Sequence, residues 1–169
     1  MPIQQMLLGA GGVVYTTDLA VSHGNSPYVT VYKWGASGFG PKYADPSTLP
    51  GGSGQGVAWT ADGSTIAIAH SGSPRIAVYA WSDGFGTKYS DPSGTPGVHG
   101  TSVDFSPDGN DIVYTHYGSP YVAAFPWSGS GFGTKYSDPS TSPGGNGRGV
   151  AFSPDGTDLA VGHYTSPRI

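Results

Sequence analysis

A period of 46–47 residues runs through this chain and limits what it can fold into more than any other feature. Ser-Pro recurs at Ser26-Pro27, Ser73-Pro74, Ser119-Pro120 and Ser166-Pro167, in steps of 47, 46 and 47. His23, His70, His116 and His163 keep the same steps. Two pieces are verbatim copies: Thr87–Ser93 returns as Thr134–Ser140, and Phe105–Gly109 returns as Phe152–Gly156. Units of this size bury their apolar faces by stacking on their neighbours, so a row of similar supersecondary blocks is expected.

A one-residue variation in the period locates the loops. Trp34 to Phe39 is 5 residues, Trp81 to Phe85 is 4, and Trp127 to Phe132 is 5. Beyond that point Phe39 to Gly56, Phe85 to Ser102 and Phe132 to Gly149 are all 17. Paired strands resist a change of length and exposed loops accept it, so the variation marks a hairpin after the Trp. Four strands then fit one unit. Strand A is Gly149–Phe152, ended by a Ser-Pro-Asp-Gly turn, and strand B is Asp158–His163, with Leu159, Val161 and His163 on one face. Strand C is Arg75–Trp81, after the Ser-Pro loop, and strand D is the segment around Thr87–Tyr89. Helical periodicity is absent throughout.

The 29 Gly and 15 Pro among 169 residues would suit disorder, but they fall at fixed places between runs of Val, Ile, Tyr, Phe and Trp. Net charge is −4, from 7 Lys and Arg against 11 Asp, and no basic block is present, so no nucleic-acid partner is expected. Cysteine is absent, which excludes disulfides and thiolate metal sites. Met1–Val14 has no basic start and its apolar run is broken by glycines, so neither a signal peptide nor membrane insertion is expected. The reading is of a soluble protein of unassigned location, in a cytoplasm or a virion.

Val150-Ala-Phe-Ser-Pro-Asp-Gly156, then Leu159-Ala-Val161, and Ile76-Ala-Val-Tyr-Ala-Trp81 together resemble a WD-repeat blade. The blade's Gly-His and Trp-Asp dipeptides are missing, since Trp34, Trp81 and Trp127 are followed by Gly35, Ser82 and Ser128. The longer consensus Gly-Phe-Gly-Thr-Lys-Tyr-Ser-Asp-Pro-Ser is similar to tandem repeats of bacteriophage structural and tail-associated proteins. The resemblance implies an all-β propeller of four-stranded antiparallel blades, a scaffold or adhesin-like role, and no enzyme activity.

The chain reads as one repeat domain, 1–169, with units 1–46, 47–92, 93–139 and 140–169, the last incomplete, or about 3.6 blades. Gly9–Thr16 aligns with strand A and its turn but has diverged. An edge left inside a blade invites association. The N-terminal segment could complete the last blade, the sequence could belong to a longer array, or copies could close a shared ring. Homo-oligomeric closure is the favoured expectation, two copies giving about seven blades.

Equivalent histidines on successive blades stand too far apart to share a metal, so they are read as strand-end residues bonded near the Ser-Pro loop. Trp34, Trp81 and Trp127 fit packing between blades better than sugar stacking. Phe39, Phe85 and Phe132, with Tyr43, Tyr89 and Tyr136, suit either the core or a repeated exposed patch. Asp45, Asp91 and Asp138 precede Pro and suit Asx-type turns. Acids repeated once per blade supply no convergent pair, so no catalytic residue, metal site or cofactor is expected. The positions that differ between near-identical units are the candidate binding residues. They are Gln55, Thr101 and Arg148 at one equivalent place, and Tyr28, Arg75, Tyr121 and Arg168 at another. Both places belong to the loops joining strands B to C and D to A, on one face of the ring. A protein or glycan partner is expected there, a lectin with one weak site per blade being the alternative to a virion or host-surface-binding module.

Overall fold

Residues 17–95 and 98–166 are described by the computed structural model, and within them every regular element is a strand. Gly9–Thr16 and Arg168 lie outside the described residues. The first sheet holds β1 (Thr17–Ser22), β2 (Val29–Gly35) and β3 (Gly38–Lys42). The second holds β4 (Gly54–Trp59), β5 (Thr65–His70), β6 (Ile76–Trp81) and β7 (Phe85–Lys88). The third holds β8 (Gly100–Phe105), β9 (Asp111–His116), β10 (Val122–Ser128) and β11 (Gly131–Phe132), and the fourth β12 (Gly147–Phe152) and β13 (Leu159–His163). In each sheet the strands lie in chain order and pair antiparallel, which is the up-and-down blade of a propeller-like fold. The described sheets do not close a ring, so the closure expected from the sequence is not made by them alone.

The hairpin after the Trp is where the length variation placed it, with Trp81 opposite Phe85 and Trp127 opposite Phe132. Strand D therefore begins at Phe85, earlier than the segment around Thr87–Tyr89 suggested. Strand C begins at Ile76 and not at Arg75, because Arg75 has a φ of 84° and cannot extend a strand. The A–B turns are closed by the expected i→i+3 bonds, Gly109 N–H to Ser106 O and Gly156 N–H to Ser153 O, both 2.9 Å. The glycine there has a φ of 73° or 75°.

Alternation along β5 explains the stacking. Ile66 and Ile68 join Ala77, Tyr79 and Trp81 against Val29 and Val31 of the first blade. Ala67 and Ala69 face the other way and join Ile76 and Val78 against Val103, Phe105, Ile112, Tyr114 and Phe125 of the third. Each junction thus sets a small-residue face of one blade against a bulky face of the next. All six residues of β5 are buried, since both of its faces are covered. Large side chains such as Ile66 and Tyr79 each contribute roughly 1.5–3 kcal/mol by leaving water.

At the start of strand A the blades touch backbone to backbone. A Cβ on Gly54 would stand 2.2 Å from Tyr28 O, one on Gly100 2.3 Å from Arg75 O, and one on Gly147 2.6 Å from Tyr121 O. Gly100→Ala is therefore expected to cost about 2–3 kcal/mol, an overpacking penalty with nowhere to relax. Gly129→Ala, whose Cβ meets nothing within 4 Å, should stay within about 0.5 kcal/mol of the parent. Urea unfolding of the two variants beside the parent checks both values.

Candidate functional site

Two backbone irregularities each recur three times among the described residues, and all the candidate residues but Arg168 occupy them. The first lies between strands B and C. There Tyr28 N–H bonds Asn25 O, Arg75 N–H bonds Gly72 O and Tyr121 N–H bonds Gly118 O, closing four-residue turns with a cis Ser-Pro bond inside. Tyr28, Arg75 and Tyr121 follow with φ values of 73°, 84° and 71°. That region disfavours side-chain-bearing residues by about 1–3 kcal/mol, so the surroundings must hold it. They do so through the carbonyl, which accepts from His23, His70 and His116 N–H at 3.0, 2.8 and 3.0 Å respectively.

The second irregularity opens strand A. Gly54 pairs with His70 and Gly56 with Ala69, leaving Gln55 as an extra residue, and Thr101 and Arg148 hold the same place in β8 and β12. Gln55, Thr101 and Arg148 are thus bulge residues of strands and not loop residues, a correction to the sequence reading. A bulge re-aims its side chain, which is why it suits a site. The two irregularities meet across the junctions, because the glycine preceding each bulge residue lies under the carbonyl of Tyr28, Arg75 or Tyr121. The backbone thus groups Tyr28 with Gln55, Arg75 with Thr101, and Tyr121 with Arg148 along three seams on one side of the sheets.

The seams differ in what they offer. Thr101 Oγ1 is spent on Gly147 O at 2.9 Å and Thr115 Oγ1 at 3.0 Å, so this residue locks a junction and presents little. The Arg75 guanidinium donates to Ser71 O at 2.7 Å. Arg148 is exposed and hydrogen-bonds the Tyr117 hydroxyl. Its guanidinium also lies 4.9 Å from the Tyr117 ring centre and 5.5 Å from that of Tyr164. His99 stacks on Tyr117 at 5.8 Å, extending the row. Tyr117, Tyr164 and His99 were missed in the sequence, because they come together only when two units stack.

The acidic residues stand elsewhere. Asp62, Asp108 and Asp155 sit in the A–B turns at the opposite strand ends, where serine, threonine and backbone donors hold their carboxyls below the usual range, Asp155 at about 2. Asp45, Asp91 and Asp138 pair with Lys42, Lys88 and Lys135 three residues earlier, an ion pair per blade that the Asx-turn reading overlooked. Asp18 accepts from Trp81 Nε1 at 2.9 Å and from the Tyr43 hydroxyl at 2.8 Å, tying the first blade to the second. Burial, then Asp18 and Asp83, push the Tyr43 phenol well up.

The aromatic series now divides. Trp81 and Trp127 are buried in the junctions, with Phe85 and Phe132 packed against them, while Trp34, Phe39 and Tyr136 are exposed. His70 and His116 are wholly buried, and among the described residues no group of three His, Cys, Asp or Glu is placed to hold a metal ion. The expected hydrogen bonding near the Ser-Pro loop holds for His116, through Tyr117 O at 3.2 Å. It is not seen for His70, neither of whose ring nitrogens has a hydrogen-bond partner, although the ring lies beside Gly51 and the loop carbonyl of Ser73.

No family model matches the chain, and no curated protein matches it. Among solved structures it is similar to Kuenenia stuttgartiensis hydrazine synthase, at TM-score 0.57 and 16% identity over 82% of this chain and 37% of that one. It is also similar to a chain of the mitotic checkpoint complex, at TM-score 0.55 and 21% identity over 78% of this chain and 40% of that one. The chain spans well under half the length of either, and at these identities the likeness is one of fold.

Burial first, with the charges of Lys88 and Arg75, pushes His70 down to about 4, and burial pushes His116 down as well. The unfolded chain takes up these protons near pH 6.5, the folded chain only below that. Stability should therefore be level above pH 6.5 and fall as the pH drops towards 4, by on the order of 2–3 kcal/mol from His70. Urea midpoints at pH 7 and pH 4.5 should differ less in His70→Leu than in the parent.

Proposed function

We propose that this chain is a non-enzymatic propeller interaction module, a structural or host-surface-binding part of a phage-like virion. The carrying observation is the seam, where backbone geometry repeats and the pair of side chains set on it differs from one seam to the next. Tyr28, Arg75 and Tyr121 share one strained φ, and Gln55, Thr101 and Arg148 share one bulge, yet no two seams carry the same pair of side chains. A frame held constant beneath changing side chains suits recognition of a partner. Near-verbatim tandem units support the virion reading, and ring completion by further copies, two giving about seven blades, belongs with it. A lectin is the second reading, favoured by the open ring of Tyr164 beside Arg148.

Glycine is the informative truncation at the positive-φ positions, since it removes the side chain and keeps the backbone. The triple variant Tyr28→Gly, Arg75→Gly, Tyr121→Gly should unfold at the parent's urea midpoint or slightly above it. Its binding to bacterial cells, read by fluorescence of labelled protein, should fall at least about tenfold. Unchanged cell binding would overturn the seam as the interaction surface. A glycan array showing weak, repeated binding at equivalent sites would favour the lectin.

A further inference from the structure

The outer face of the first blade is built like an inner junction and stands open. Trp34 is 41% exposed where its counterpart Trp81 is 8%, and Val21 is 42% exposed where Ile68 is 0%. Phe39 packs edge-on against both Tyr32 and Trp34 but is itself 65% exposed. Val21, His23, Thr30, Tyr32 and Phe39 line a hollow of about 580 Å³ on this face. It is the bulky half of a junction whose small half is not among its described neighbours.

The small half is present at the other end of the row. On β12 and β13, Ala151, Ala160 and Gly162 face outward, in the places that Ala67 and Ala69 hold on the second blade. Both alanines are exposed. A polar match accompanies the shape. Asp18 stands five residues before His23 and accepts from Trp81 Nε1 of the following blade, and Asp158 stands five residues before His163, exposed. Trp34 is to the first blade what Trp81 is to the second.

We propose that the first blade's outer face receives the β12–β13 face of a second copy, head to tail, with Trp34 Nε1 donating to the other copy's Asp158. The joint continues the packing of the internal junctions, bulky against small, and repeats the indole-to-carboxylate hook that Trp81 and Asp18 make at the first of them. It deepens the ring-completion reading and rests on it. A contact of this kind is heterologous, so each copy uses one face of each sort.

Light scattering on the intact 169-residue protein tests this. The parent should have a mass that is a multiple of 17.2 kDa. Trp34→Ala, Asp158→Ala and Val21→Arg should each weaken association at least about tenfold while keeping the parent's far-UV circular dichroism. Asp158→Ala is the mildest, because its side chain is exposed and accepts only from the neighbouring Thr157 hydroxyl at 3.5 Å, while its backbone bonds to Ser153 survive the substitution. Mixing Trp34→Ala with Asp158→Ala should restore association, since one intact joint forms between the two chains. A parent that stays monomeric overturns ring completion and the joint together. An oligomeric parent whose mass none of the variants changes, or a mixture that stays monomeric, overturns the joint and leaves ring completion standing.

Discussion

Where strand B gives way to strand C, the chain turns a carbonyl out of its own blade and sets it against the first residue of the next blade's strand A. In the second blade this is Arg75 O over Gly100, and the same oxygen accepts from His70 N–H at 2.8 Å. The geometry leaves no room for a Cβ, which fixes glycine at Gly54, Gly100 and Gly147. It also fixes the left-handed φ of the residue that owns the carbonyl, because only that twist lets one oxygen face both the strand end and the neighbouring blade. The bulge at the next position follows, since strand A must re-enter register after the close approach.

From that contact the rest of the packing can be read. Once the strand starts are pinned, alternation sends Ile66, Ile68 and His70 to one junction and Ala67 and Ala69 to the other. Bulky and small faces then meet at a constant spacing, and the Trp at the end of strand C reaches the previous blade. His70 and His116 end strand B on the bulky face, where burial favours their neutral form. The same geometry gives the seam its double character. Its backbone is committed to holding blades together, while the side chains on it are left to differ.

Much of this was legible in the sequence, and what was not has a common cause. The period, the four strands, the hairpin after the Trp and the A–B turn all follow from local spacing, and the structure has them. The burial of Trp81 and Trp127 was also read correctly. The start of strand A was placed at Gly149 and not at Gly147, because a bulge breaks the alternation on which strand edges are judged. Arg75 was taken into strand C because nothing in its identity signals a positive φ. The candidate positions were found from their variation alone, and that they adjoin in space emerged only when the blades were stacked. Lys42, Lys88 and Lys135, each three residues before an Asp, were a visible signal that went unused. Asp18, Asp111 and Asp158, five residues before a recurring His, were another.

Amide hydrogen exchange at Gly54 tests the central contact most directly. Its N–H donates to His23 O at 3.0 Å across the first junction, at the start of a strand where an amide facing an ordinary loop would exchange quickly. If the junction holds the blades, Gly54 exchanges only with global unfolding, at the rate of the buried amides of β5. Exchange of Gly54 at the rate of the exposed A–B turn, while β5 stays protected, would contradict the account.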